Sequence, residues 1–238
     1  MLSRIPYVFR QTFRFLTFQS LEIEGKRDLL HLAIAGIVFA WIAGLGRYWD
    51  HPSAHIWQYM GLGSVIYIFV LAALIWILAL PLRPERWSYL SVLTFVGLTS
   101  PLAWLYAIPV ERFTSMDFAI SANVLFLAIV ASWRVALYVQ FLRKVGKLSI
   151  EKIIVMSLLP LVGIMFALMV LNLENAVFEI MAGLETERTD KELIHDNVYG
   201  FVFFLGILSI MAAPLVFLLY LGLCFQQWRR RHKENQEK

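Results

Sequence analysis

Six long apolar segments constrain this 238-residue chain more than any other feature of its sequence. A membrane-spanning helix needs roughly 20 consecutive apolar residues, or about 17–25 when the helix is tilted. Six segments meet this requirement: residues 29–46, 60–82, 88–108, 118–141, 153–173 and 198–225. Because backbone amides in hydrocarbon must be hydrogen-bonded within their own segment, each segment is predicted to be an α-helix. The sequence therefore predicts an all-α, polytopic membrane protein with six transmembrane helices.

The composition excludes the commonest alternatives. Hydrophobic residues make up 60% of the chain and charged residues 16%, whereas a typical soluble domain has about 45–50% apolar and about 25% charged residues. An ordinary water-soluble enzyme is therefore excluded, and so is an intrinsically disordered chain. Because Cys224 is the single cysteine, a disulfide-stabilised scaffold is excluded as well.

The basic residues predict the orientation of these helices. Lys and Arg accumulate in short loops on the cytoplasmic side of a membrane protein. With six spans and both termini inside, sixteen Lys and Arg residues lie on the inner side and four on the outer side. Five spans would place the two basic ends of the chain on opposite sides. The sequence therefore predicts a multi-pass protein of the cytoplasmic (inner) membrane with both termini in the cytoplasm.

Three regions are predicted along the chain. Residues 1–28 form a basic and aromatic N-terminal segment, residues 29–225 the six-helix transmembrane bundle, and residues 226–238 a basic cytoplasmic tail. Arginines alternate with aromatic side chains over residues 2–21, which is typical of an interfacial segment on an anionic leaflet. The net charge of +4 thus reflects membrane orientation, and no nucleic-acid partner is expected.

The connection between the fifth and sixth spans is long and acidic. Apolar residues continue at helical spacing as far as Gly183, and Thr189 with Glu192 has the spacing of a capping box at a new helix start. Seven Asp and Glu residues accompany two basic residues between positions 174 and 196. We therefore expect an acidic helical hairpin on the outer surface, either as a solvated loop or as an interaction face.

Arg134 is the one ionisable residue well inside a predicted span, where a charge is costly. Its long side chain either snorkels to the lipid headgroups or forms an anion or lipid-headgroup site facing the bundle interior. Asn123, in the same span, is expected to hydrogen-bond a neighbouring helix or to contact a substrate. No Asp or Glu lies mid-span, which argues against a proton-driven carrier.

Prolines interrupt three of the predicted spans, at Pro101, Pro160 and Pro214. Each proline removes an amide donor and bends its helix, so these kinks either serve packing or open a cavity, as broken helices do in transporters. Small residues recur every four positions from Gly36 in the first span and from Gly163 in the fifth. This spacing predicts close helix contacts, within one molecule or between copies.

One group of residues on the predicted outer surface has metal-ligand chemistry. Asp50, His51 and His55 follow the first span, and His195 precedes the sixth. Imidazole and carboxylate groups bind Zn, Ni or Mn, but helix capping and interfacial hydrogen bonds explain the same residues more simply. Phosphate-loop, zinc-protease and nucleophile–His patterns are not found, so neither a catalytic residue nor a cofactor is predicted.

These features favour a membrane accessory, scaffold or assembly protein without catalytic activity. Its expected partners are the lipid bilayer and another membrane protein or a second copy of the chain. The main alternative is a small transporter or permease subunit for a polar or anionic solute, which would use the kinked helices with Arg134 and Asn123. A lipid-active enzyme with a metal site on the outer face is a third possibility.

Overall fold

The computed structural model describes residues 4–23, 25–48, 56–108, 110, 113–170 and 192–236, and every regular element among them is helical. The α-helices are α1 (Ile5–Leu16), α2 (Lys26–Tyr48), α3 (Ile56–Tyr59), α4 (Leu62–Ala79), α5 (Tyr89–Leu98), α6 (Met116–Lys144), α7 (Ile150–Val170) and α8 (Glu192–Gln236). Two 3-10 helices, Leu80–Leu82 and Ser100–Ala107, continue α4 and follow α5.

Five of the described helices are long and apolar enough to cross a membrane. The spanning stretches are Lys26–Gly46, Leu62–Leu82, Val124–Lys144, Ile150–Ala167 and Gly206–Lys233. They coincide with five of the six predicted segments because a continuous apolar run satisfies its backbone amides as a helix. The prediction of an all-helical membrane protein is therefore confirmed at this level.

The remaining predicted span, residues 88–108, is not one regular helix. Ser88 caps the start of α5, since its Oγ accepts a hydrogen bond from the amide of Ser91 at 3.1 Å. The α-helix then ends at Leu98, and Pro101 lies near the start of the following 3-10 helix. Proline lacks an amide hydrogen and restricts the residue before it, so the α-helical hydrogen-bond ladder stops there. The count of six spans is not confirmed by helix length alone.

The chain forms two compact units. The first comprises Met1–Pro109 and Val130–Leu148, and the second comprises Val110–Ile129 and Ser149–Lys238. In the first unit α2 packs against α4, α5 and the 3-10 helix that follows α5. In the second unit α7 packs along α8.

Close backbone contact between α2 and α5 requires two glycines. A Cβ atom placed on Gly36 would lie 2.8 Å from the Cα atom of Gly97, and a Cβ on Gly97 would lie equally near Gly36. The small-residue face predicted from Gly36 therefore packs as expected. A Cβ on Gly163 would have nothing within 4 Å, so this residue makes no close helix contact within the described part of the chain.

Packing between its two long helices, α7 and α8, is the main contact in the second unit. Gly206 of α8 receives the side chain of Met169 from α7, and Val216 and Tyr220 of α8 are buried. Near the other end of the contact, Lys152 Nζ donates to Gln227 Oε1 at 3.0 Å. The predicted acidic hairpin falls largely within residues 171–191, which lie outside the described residues.

Candidate functional site around Arg134 and the N-terminal hairpin

Residues 4–23 consist of helix α1 and a segment that runs back along it; together they are here called the N-terminal hairpin. Helix α1 ends in a Schellman motif, in which the amide of Gln19 bonds to the carbonyl of Arg14 at 2.8 Å and the amide of Phe18 to that of Phe15 at 3.0 Å. Phe18 takes the left-handed conformation that the motif requires, with φ of 63°. The chain therefore reverses direction directly after α1.

Glu22 fastens the returning segment to α1. Its amide donates to Oε1 of the fully buried Gln11 at 2.9 Å, and its carbonyl accepts a hydrogen bond from the Tyr7 hydroxyl at 2.6 Å. Its carboxylate pairs with Arg14 at 2.6 Å and with Arg10 at 3.5 Å. Backbone and side chain of one residue thus hold both arms of the hairpin together.

The N-terminal hairpin docks on the C-terminal half of α6. Trp133 Nε1 donates to the carbonyl of Leu16 at 2.9 Å, and Gln140 Nε2 donates to the carbonyl of Phe18 at 2.6 Å. Lys144 Nζ reaches the same Phe18 carbonyl at 3.2 Å, and the rings of Phe18 and Trp133 lie 5.7 Å apart. These donors satisfy carbonyl groups that a helix end leaves free. A further ion pair, Arg4–Asp28, joins the start of the hairpin to α2.

Arg134 lies on the packed face of α6. Val130, Leu137 and Tyr138 are all buried, and their spacing of three and four residues from Arg134 places them on its side of the helix. Arg134 itself is half-buried, and its Nε atom is buried without a hydrogen-bond partner among the described residues. The guanidinium therefore belongs to the interior side of the helix.

Tyr138 is the second polar group on this face. Its side chain is 7% exposed, and its hydroxyl is also buried without a hydrogen-bond partner in the described part of the chain. The ring packs against Phe95 at 5.7 Å, and Phe95 also contacts Phe141 at 4.5 Å and Phe15 at 5.9 Å. The ring of Tyr138 therefore belongs to an aromatic cluster drawn from α1, α5 and α6.

This arrangement is suited to binding an anion. Arginine stays protonated and carries five N–H donors in a planar fork that matches the oxygens of carboxylates and phosphates. A buried donor without a partner is destabilising, and the penalty is larger for a charged group. A ligand that accepts hydrogen bonds from Arg134 would remove that penalty.

The other predicted site residues lie elsewhere or outside the described side chains. Asn123 lies in α6, and its side chain is not among those described. Helices α7 and α8 continue through Pro160 and Pro214 as regular helices, whereas Pro101 falls where α-helix gives way to 3-10 helix. Pro101 and Arg134 belong to the first compact unit, whereas Asn123, Pro160 and Pro214 belong to the second.

The proposed metal ligands lie outside the described region. Asp50, His51 and His55 are not among the described residues, and for His195 the structure describes only the α8 backbone. Within the described residues, no group of three or more His, Cys, Asp or Glu side chains could hold a metal ion. The metal-site hypothesis therefore stays a prediction.

Sequence reasoning did not identify Gln11, Glu22 and Tyr138 as structural or functional residues. Tyr138 follows Arg134 by four residues, so helical spacing alone would have placed it beside the charge. For Glu22 and Gln11 the signal in the sequence was an acidic residue and an amide residue in a segment that contains three arginines. Their hydrogen bonds depend on the chain reversal at Phe18, and phenylalanine is not a residue from which such a reversal is predicted.

The fold and this site define a helical protein with apolar helices long enough to span a membrane, one of which carries an arginine without a carboxylate partner among the described residues. Comparison with protein-family models, with curated proteins and with solved structures finds no significant match to this chain.

Proposed function

We propose that this protein is an integral membrane accessory or assembly protein without catalytic activity. We place it in the cytoplasmic (inner) membrane, with both termini in the cytoplasm and six crossings. The proposal rests chiefly on the open apolar surface of α8. Its partner would be another membrane protein that presents an apolar helix.

Among its described side chains, helix α8 packs chiefly against α7. In its most apolar stretch 11% of the residues are buried, against 33% in α2. The most exposed apolar residues share one face, with Met211 73%, Leu215 61% and Leu218 65% exposed. Their spacing of four and three residues is the pattern with which one helix packs against another. An open face of this kind supports docking of a partner helix.

The contact between α7 and α8 includes a groove with no catalytic chemistry. It has a volume of about 330 Å³ and is lined by apolar residues, among them Gly163, Pro214 and Phe217. Such a groove offers neither a nucleophile nor a general base, so it favours a packing role over an enzymatic one. A ridge of side chains on a partner helix would fit beside it.

A photocrosslinking residue placed at Met211 tests the proposal. We expect it to capture a discrete membrane protein that also co-purifies with the chain in mild detergent. The matched control is the same crosslinker at Ile164, an exposed apolar position of α7. Crosslinks only to lipid at Met211, together with purification of the chain as a lone monomer, would contradict the accessory role.

The placement of Arg134 favours one second candidate, a small transporter or permease subunit for an anionic solute. A charge on the packed face of a spanning helix is typical of substrate pathways. This alternative predicts solute uptake by vesicles that contain the purified protein and loss of that uptake in Arg134→Ala. Absence of uptake of phosphate and carboxylate anions would remove it.

A further inference from the structure

We propose that Arg134 and Tyr138 together bind a phosphate group, carried either by a lipid headgroup or by a soluble anion. This inference goes beyond the accessory function and does not require transport. It rests on two buried polar atoms on one face of α6, Nε of Arg134 and the hydroxyl oxygen of Tyr138, neither of which has a hydrogen-bond partner among the described residues.

The two groups lie four residues apart on one face of α6, where they can share one ligand. Side chains four residues apart on a helix have Cβ atoms about 5–6 Å apart. The Arg134 guanidinium and the Tyr138 hydroxyl can therefore approach one anion from neighbouring positions on the helix. Both donate a hydrogen bond, so a ligand with several acceptor oxygens satisfies both.

The geometry favours phosphate over carboxylate. A guanidinium fork occupies two acceptor oxygens in a bidentate contact. A carboxylate can accept a third hydrogen bond only on an oxygen that the fork already uses, because its four lone-pair sites lie on two atoms. A phosphate group retains a separate oxygen for the Tyr138 hydroxyl, so it matches the pair of donors better.

The protein supplies no carboxylate to Arg134 within its described residues. The acids near the N-terminal hairpin and the α6 terminus are already engaged with other cations, in the pairs Glu22–Arg14, Asp28–Arg4 and Glu85–Lys147. A positive charge without a protein counter-charge attracts an anion from outside the chain.

The surroundings strengthen such an interaction. Arg134 lies ten residues before the end of α6, or about 15 Å along the helix axis. The rings of Phe95, Tyr138 and Phe141 pack together between it and that end. Because these rings exclude water and lower the local dielectric constant, each charge-assisted hydrogen bond is stronger than it would be at the surface.

Ligand-dependent thermal stabilisation in a neutral, phosphate-free detergent tests the site. One arm adds phosphatidylglycerol, with diacylglycerol as the phosphate-free control, and the other arm adds inorganic phosphate against chloride. A rise in Tm yields an apparent Kd for each probe. Stabilisation by phosphatidylglycerol alone identifies a lipid ligand, and stabilisation by inorganic phosphate identifies a soluble one; both results support the site.

Three variants separate binding from folding. Arg134→Gln should weaken the apparent Kd by about 10-fold to 100-fold, because hydrogen bonds to charged groups are strong. Tyr138→Phe should also weaken binding, yet without ligand it should unfold at the same or a higher Tm, because it removes a buried hydroxyl without a partner. Arg143→Gln, which alters an exposed charge on the same helix, should bind as the unmodified protein does.

Two results would overturn the proposal. One is the absence of a Tm rise with either probe, and the other is a full Tm rise in Tyr138→Phe and in Arg134→Lys, which keeps the charge but not the fork. These two variants decide the question even where Arg134→Gln does not fold. Neither result bears on the crosslinking at Met211, so this site and the accessory function can fail independently.

Discussion

Phe18 occupies a backbone position that is usually occupied by glycine. It occupies the left-handed position after α1, where the absence of a Cβ atom normally makes glycine the favoured residue. The conformation persists because two hydrogen bonds of the Schellman motif fix the backbone. Gln140 and Lys144 also bind the carbonyl of Phe18 from α6. One residue thus combines chain reversal with attachment of the hairpin to α6.

At Phe18 a glycine variant should be more stable than an alanine variant, which is the reverse of the order inside a helix. Phe18→Gly and Phe18→Ala both lose the ring contact with Trp133. Glycine should nevertheless be more stable than alanine by about 1 kcal/mol, because left-handed backbone disfavours any residue with a Cβ atom. Thermal unfolding of the purified variants measures the difference.

Phe13 provides the matched control for this comparison. It is exposed and lies within α1, where glycine should be less stable than alanine by about 0.5–1 kcal/mol. If the alanine variant were more stable than the glycine variant at both positions, the left-handed backbone of Phe18 would not determine the stability of these variants.

At the scale of elements, the closest contacts between helices depend on the positions of glycine residues. Gly36 and Gly97 let α2 and α5 approach at backbone distance, so dispersion contacts extend along both helices. In a membrane this packing matters more than apolar burial, since lipid tails are as apolar as the side chains they replace. The same residue type at Gly163 faces open space.

Alanine substitutions at these glycines should therefore have opposite effects. In Gly36→Ala the new Cβ would lie within 3 Å of backbone atoms of Gly97, and overpacking of this kind destabilises by about 1–3 kcal/mol. In Gly163→Ala the Cβ meets no atom within 4 Å, so the higher helix propensity of alanine should leave stability unchanged or raise it by up to about 1 kcal/mol. Unfolding in a mild detergent compares the two variants, and equal loss of stability in both would show that α2 and α5 do not pack through Gly36.

The length of the apolar runs correctly predicted five helices that are long and apolar enough to span a membrane. Such a prediction succeeds because the requirement for a helix is local to each segment. A helix in lipid satisfies its own backbone, so no tertiary information is needed to place it. The break at Pro101 was predicted as a kink, but the switch to 3-10 helix depends on local hydrogen bonding that run length does not report. The burial of Gln11 and the partners of Glu22 depend on contacts across the hairpin. Arg134 was identified by its charge alone, whereas the buried hydroxyl of Tyr138 required the packing of α5 against α6.

For the whole molecule, the number of crossings depends on the segment formed by α5 and its 3-10 helix. An α-helix rises 1.5 Å per residue and a 3-10 helix about 2.0 Å. Ten residues of α5 and eight of the 3-10 helix would measure about 30 Å along one common axis, which matches the thickness of the hydrocarbon core. The segment is long enough to cross the membrane although it is not one regular helix.

Reporter fusions at the two ends of the chain test this crossing directly. Arg83 and Arg86 precede α5, while Arg112 alone follows it before α6, so the charge bias predicts that α5 starts on the cytoplasmic side. Six crossings put both termini on the same side, and five put them on opposite sides. We therefore expect cytoplasmic signals from reporters before Met1 and after Lys238. A reporter inserted in the loop that contains Arg86 should also report the cytoplasm, and one inserted beside Arg112 should report the outer side. If these two loop reporters gave the same side, the α5 segment would be re-entrant, and the sixteen basic residues assigned to the inner side would no longer share one face.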